Sequence, residues 1–178
     1  MKILKSITFA TLLFLAVGVN AQSTKDQKII KDSEKAKEKL MTMEVGLDQF
    51  FTNSAGYVIF PNVGKGGFII GGASGNGVVY ENGTMVGMAD LKKLSVGLQA
   101  GGQAITEVIF FETADDLAEF KDGDFEFSAE ASAVALKSGV SVNAKYRDGV
   151  AVFALPKAGL MAVASVGGQK FDYKPMMK

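Results

Sequence analysis

The chain has no cysteine, no histidine and no tryptophan, and only three prolines in 178 residues. Without cysteine there can be no disulfide, thiol nucleophile, iron–sulfur cluster or Cys-ligated zinc. Without histidine a Ser-His-Asp triad and His-ligated metal are excluded too. Neither charge is in excess, since 19 Lys+Arg face 19 Asp+Glu, whereas dedicated nucleic-acid binders are strongly basic. Glycine abounds instead, with 21 residues, as does phenylalanine, with 13. This is the composition of a glycine-rich domain without the usual catalytic equipment. No enzyme activity, no cofactor, no metal and no nucleic-acid partner are expected.

Residues 1–21 read as a secretory leader. Lys2 and Lys5 form a positive start, Ile7 to Val19 is a mostly apolar run, and Val19-Asn20-Ala21 offers small side chains at the −3 and −1 positions of a cleavage site. The run is shorter than the roughly 20 apolar residues that a spanning helix needs. No cysteine follows it to carry a lipid. The mature chain is expected to begin near Gln22, in the periplasm or secreted, peripheral to the membrane if it meets one. Losing two lysines leaves 17 bases against 19 acids, a net charge of −2. The remaining 157 residues suit one domain, which at that size buries roughly 70% of its unfolded surface.

Two textures divide that domain. Residues 22–54 hold a single glycine, Gly46, and are expected to be helical. Ile29, Ser33, Ala36 and Leu40 recur at spacings of 4, 3 and 4, the stripe of an amphipathic helix, while lysines decorate its other faces. A second short helix is predicted over Glu44–Asn53, carried by Leu47, Phe50, Phe51 and Ser54 and ended by Gly56. Residues 55–178 form the glycine-rich β part, with short apolar runs alternating with turn signals. Strands are predicted at Tyr57–Phe60, Gly67–Ala73, Gly77–Tyr80, Thr84–Ala89, Leu94–Ala100 and Ala104–Glu112. Further strands follow at Asp124–Ala131, around Ala133–Lys145, and at Gly149–Leu155, Gly159–Val166 and Gln169–Tyr173. Asn76-Gly77, Asn82-Gly83 and Asp148-Gly149 read as tight turns, because Asn, Asp and Gly tolerate positive φ. Asn82-Gly83-Thr84 also matches a glycosylation sequon, a short pattern that the turn explains better. Between strands, Thr113 should cap a short helix over about 113–122, with Asp115 and Asp116 at its positive end and Gly123 beyond it. Val150 to Leu155 is apolar on both faces, so the sheet must curl or be covered on both sides. The fold class is therefore α+β: N-terminal helices packed on a strongly curled, mostly antiparallel sheet, sandwich-like or nearly closed into a barrel.

No motif specific to a reaction survives inspection. Val63-Gly64-Lys65-Gly66-Gly67 lacks both the earlier glycine of a phosphate loop, where Ile59 stands, and the Ser or Thr after lysine, where Gly66 stands. Asp122-Gly123-Asp124-Phe125-Glu126 fails as a calcium loop, having Phe127 in place of the sixth-position glycine and Ala133 in place of the bidentate glutamate. No Ser-x-x-Lys tetrad occurs in the mature chain. Charge is segregated all the same: residues 107–130 hold nine acids against one lysine, and residues 131–178 hold seven bases against two acids.

Several blocks carry a family resemblance. They are Gly56-Tyr57-Val58-Ile59-Phe60-Pro61-Asn62-Val63-Gly64-Lys65-Gly66-Gly67-Phe68, Gly97-Leu98-Gln99-Ala100-Gly101-Gly102-Gln103, Phe125-Glu126-Phe127-Ser128-Ala129, Tyr146-Arg147-Asp148-Gly149-Val150-Ala151-Val152 and Val166-Gly167-Gly168-Gln169. In this order and spacing, from about Ser33 to Tyr173, the chain resembles the SYLF domain, a lipid-binding module of bacteria and eukaryotes. The resemblance implies a non-enzymatic domain that associates with membranes. Eukaryotic members bind phosphoinositides, use a basic or amphipathic N-terminal segment, and often act at actin through an added Src-homology domain. The leader here turns the expectation towards anionic phospholipids of the cell envelope and away from actin. Lys65 and Arg147 lie within the matched blocks and are the cations expected to meet an anionic headgroup. Gly64, Gly66 and Gly67 would let backbone N–H groups approach a phosphate beside Lys65. Lys28, Lys31 and Lys35 of the N-terminal helix would assist. Two other readings stand beside this one: an envelope structural protein acting through protein contacts, and a small outer-membrane β-barrel, against which the lack of aromatic girdles argues.

Overall fold

A computed structural model describes residues 24–43, 46–66, 70–96, 103–123, 125, 134–136, 144–157 and 168–176. The leader and its cleavage site, Gly67, most of the strands expected at 124–131 and 133–145, and that at 159–166 lie outside these residues.

Helix α1 spans 24–42 and α2 spans Asp48–Asn53. The long β strands are β1 (Gly56–Gly66), β2 (Ile70–Glu81), β3 (Thr84–Val96) and β4 (Gln103–Phe111). Helix α3 (Ala114–Asp122) follows, then β5 (Val134–Ala135), β6 (Val150–Pro156) and β7 (Gln169–Pro175). The strand order is β5-β6-β4-β1-β2-β3-β7. Every pairing is antiparallel except β5 with β6. Among the described residues β7 and β5 are not paired with each other, so the sheet is open rather than closed into a barrel.

Distances across the sheet show how far it curls. In a flat sheet β1 and β7, three places apart, would be about 14 Å from one another, and β4 and β7, four places apart, about 19 Å. Yet the rings of Phe60 and Phe171 are 5.9 Å apart, and Gln169 Nε2 donates to Glu107 Oε2 at 3.3 Å. The concave face therefore closes on itself around Val58, Phe60, Ile109, Phe111, Val152 and Phe171, with Leu117 and Phe120 of α3 packed among them. The convex face carries Tyr57, Ile59, Val78, Tyr80, Val108, Phe110 and Phe153, and is covered by Leu40 and Met43 of the α1 end and by Leu47 and Phe50 at α2. Strand β6 serves both layers. Val150, Val152 and Ala154 enter the concave core and Ala151, Phe153 and Leu155 the convex one, as its two-sided apolar pattern requires.

Local signals match where they depend on near neighbours. Thr113 caps α3 in a reciprocal box with Asp116, and Gly123 ends it at φ 82°. Asn82-Gly83 and Asp148-Gly149 are turns with both residues at positive φ. Other expectations fail for tertiary reasons. The second helix is shorter than predicted, since Gly46 takes φ +80° and α2 begins only at Asp48. Gly56 does not end it but opens β1. Asn76-Gly77 is no turn: the two residues pair with Asp90 and Ala89 inside β2 and β3, so two predicted strands merge into one. Glycine is needed at 77 because a Cβ there would lie 2.6 Å from the Phe60 ring and 2.7 Å from the Ile59 carbonyl.

Candidate functional site

The site is built on an irregularity of β1. The register slips between Phe60 and Val63 against β4, and between Ile59 and Gly64 against β2, where Pro61 cannot supply a ladder N–H. Local hydroxyls serve the carbonyls here. Ser33 Oγ of α1 donates to Ile59 O at 3.3 Å, and Thr106 Oγ1 to Pro61 O at 3.1 Å. Ser33 is fully buried, so the stripe read from the sequence is the docking face of α1. Leu40 and Met43 are buried in the convex core, with Ile29, Ile30 and Ala36 packed against it. Contacts of residue 32 with 62, 33 with 59 and 37 with 57 show α1 running antiparallel to β1.

With its apolar face committed, α1 presents lysines outwards: Lys28, Lys31, Lys35 and Lys39 are exposed. Lys28 Nζ pairs with Asp32 Oδ2 at 2.7 Å. Asn62, on the β1 bulge, donates to the same carboxylate at 3.5 Å and accepts from Lys157 Nζ. The hydrogen bond from Lys28, helped by the charges of Lys28, Lys35 and Lys157, holds the Asp32 carboxyl below its usual value. Desolvation lowers the Lys157 ammonium, Asp32 opposes that, and the nearby charges of Lys39 and Lys28 add to it. Three lysines, Lys28 and Lys35 from α1 and Lys157 just beyond β6, thus gather around a single carboxylate, with Lys39 close to Lys157. Such a group attracts an anion, and its exposed members can reach a flat surface.

The residues expected from sequence are divided by the fold. Lys28 and Lys35 belong to this cluster, and Lys31 is exposed on the same helix. Lys65 is not on a loop. It lies within β1, paired with Ala73 of β2 and with Gln103 of β4, and Gly64 and Gly66 are likewise strand residues. The glycine cradle expected there gives way to ladder geometry through Gly66; Gly67 and the Lys65 side chain lie outside what is described. Lys65 is nevertheless near the cluster along the backbone, because Lys157 N–H donates to the carbonyl of Ala104, a residue paired with Gly64. Arg147 is exposed at the opposite end of the sheet. There it exchanges backbone hydrogen bonds with Val150, which pairs with Phe111. From Gly56, the partner of Phe111, to Lys65 the strand runs roughly 25–30 Å, so one small headgroup cannot touch both cations. Lys157 was missed because it follows Pro156 in what reads as a turn, and its side-chain partner Asn62 is 95 residues away in sequence.

Among the described residues no helix is long and apolar enough to cross a membrane. No protein-family model matches the chain. A curated protein named Beta cell expansion factor A, from Aeromonas veronii, is 31% identical over 83 residues, which is 46% of this chain and 32% of that protein. The matched stretch thus takes in about a third of the curated relative's length; this chain is similar to part of that protein.

Proposed function

We propose that this is a non-enzymatic module, exported to the cell envelope, that associates with anionic membrane surfaces. The observation that carries this reading is the convergence of Lys28, Lys35 and Lys157 around Asp32, with Lys39 close to Lys157. The similarity to the SYLF domain supports it. Since the apolar side of α1 is buried on the sheet, the contact is electrostatic, made by the outer lysines without insertion of the helix. Lys28, Lys31, Lys35, Lys39 and Lys157, less Asp32, Glu34 and Glu38, leave a net of +2. At about 1 kcal/mol per basic residue near an anionic surface, that gives roughly 2 kcal/mol, about thirtyfold in affinity. Such attachment is peripheral and reversible, and it weakens in salt. Lys65, towards the same end of β1, extends the surface in this reading.

Co-sedimentation of the full chain with phosphatidylglycerol vesicles tests it. Combined Lys28→Glu, Lys35→Glu and Lys157→Glu changes are expected to lower binding at least tenfold, while Arg147→Glu leaves it unchanged. Equal binding by the triple variant and wild type sinks the reading.

A further inference from the structure

The charge segregation of the sequence takes a spatial form in the fold. Residues 25–39 of α1 hold six lysines against four acids, a net charge of +2. Residues 112–122, α3 with its N-terminal flank, hold five acids against Lys121, a net of −4. The two helices lie on opposite faces of the sheet. Ile29, Ile30, Ala36 and Leu40 of α1 pack on the convex layer, whereas Leu117 and Phe120 of α3 enter the concave one. Each helix therefore turns its polar side outwards in a different direction. Lys28, Lys31, Lys35 and Lys39 are exposed on one, and Asp115, Glu119 and Asp122 on the other.

The local needs of α3 account for Asp115 and Asp116 but not for Glu119 and Asp122. Asp116 completes the capping box with Thr113, and Asp115 stands in the first turn, where an acid suits the helix dipole. Glu119 and Asp122 are a like-charged pair three residues apart at the negative end, which the dipole and their mutual repulsion both disfavour. Lys121 does not offset them, since its ammonium pairs with Glu81 at 2.7 Å. Salt screens charges beyond about 8 Å under physiological conditions, and the sheet with its two apolar layers separates α1 from α3. A flat membrane therefore meets one helix or the other, never their sum.

We propose that α3 fixes which way up the molecule sits: on an anionic bilayer the α1 face is held against the headgroups, and the acids of α3 are repelled and turned to the aqueous side. The inference rests on the anionic-surface reading and adds its orientation. Residues 22–178 carry 17 bases and 19 acids, so without such an orientation the molecule as a whole would be weakly repelled. Glu119 and Asp122 act as positioning residues for the lysine face. The Asp148-Gly149 turn abuts Asp116 of α3, so Arg147 stays on the side turned away from the bilayer.

The absence of cysteine lets single thiols report the orientation in the full chain. Gln27→Cys on α1 and Ala118→Cys on α3 replace exposed, uncharged residues. Each is labelled with a neutral fluorophore and mixed with phosphatidylglycerol vesicles carrying spin-labelled headgroups, and co-sedimentation of the same samples measures binding. In bound protein the label at 27 is expected to be quenched at least about tenfold more efficiently than that at 118. Glu112→Lys, Glu119→Lys and Asp122→Lys together shift residues 112–122 from −4 by six charges to +2, the value of α1. In that background the two labels should be quenched to within about twofold of one another. Glu119→Gln with Asp122→Asn, a milder pair, should raise quenching at 118 in the same direction, and it decides the matter if the triple variant fails to fold. Equal quenching of both labels in bound protein with α3 unchanged, or an unchanged ratio in the folded variants, overturns the orientation while leaving the anionic-surface reading in place. No sedimentation with the vesicles at all overturns both.

Discussion

On the concave face Phe60, Phe111, Phe120, Phe125 and Phe171 meet ring to ring without a hydroxyl among them. On the convex face Tyr57, Tyr80 and Tyr146 take places beside Phe50, Phe51, Phe110 and Phe153. The difference follows from what covers each. The concave layer is closed by its own strands and α3, with Glu107 and Gln169 as a buried polar pair. The convex layer is covered by an amphipathic helix whose flanks carry lysines, and there the Tyr57 phenol meets Lys37, whereas the Tyr146 hydroxyl is buried without a partner among the described residues. Three of the four tyrosines lie on the face that α1 covers; the fourth, Tyr173, packs at the margin of the concave layer, where its hydroxyl donates to the Val86 carbonyl.

The comparison can be broken first by truncation on each side. Phe111→Ala, on the concave face, should cost about 3–5 kcal/mol, and Leu40→Ala, at the α1 interface, about 2–3 kcal/mol. Urea unfolding would show Phe111→Ala lowering one global transition. Leu40→Ala should additionally expose α1 to limited proteolysis before the sheet unfolds. If both changes act identically on both readouts, the faces are not separable layers.

A glycine substitution sharpens the contrast at smaller cost. Gly77→Ala drives a methyl into the Phe60 ring and the Ile59 carbonyl and should destabilise by about 1–3 kcal/mol. At Gly64 an added Cβ meets nothing within 4 Å, so Gly64→Ala should leave the melting temperature nearly unchanged. A marked loss at Gly64 would mean that this position does more than continue β1.

The smallest effect is a slope. Burial, chiefly, raises the folded Tyr80 phenol to about 12 from an ordinary 10.0. Its stabilisation is complete below pH 10, where both states are protonated, and is lost as pH rises from 10 towards 12, because the unfolded chain releases the proton first. Thermal melts of wild type should fall across that window, and Tyr80→Phe should flatten the fall, leaving the smaller share of Tyr146, whose phenol is also raised by burial. An unchanged slope in Tyr80→Phe would show that its phenol is wetter than its packing implies.

Sequence reasoning reached what depends on neighbours along the chain: the caps Thr113 and Gly123, the two tight turns, the stripe of α1, and a β6 strand buried on both faces. It failed where the reason for a residue lies across the fold. Gly77 resembles a turn residue but makes room for Phe60. Lys37 resembles one more solvent lysine, until β1 brings the Tyr57 phenol to it. The surface cluster was half legible, since Lys28 and Lys35 share a helix, whereas Lys157 reaches them only through the β1 bulge at Asn62.

The last strand sets the order in which the molecule can be completed. Strand β3 pairs with β2 across a two-residue turn, but its other edge waits for β7, whose residues Gln169–Pro175 meet Gly87–Lys93 some 80 positions earlier. A chain that has emerged only as far as residue 168 therefore holds its hairpins with one long side of β3 unmated. Phe171, which seals the concave layer, is still missing too. Closure thus waits for a strand far downstream of its partner, with a large loop to bring together. Removing β7 alone would leave an unpaired, sticky edge along β3.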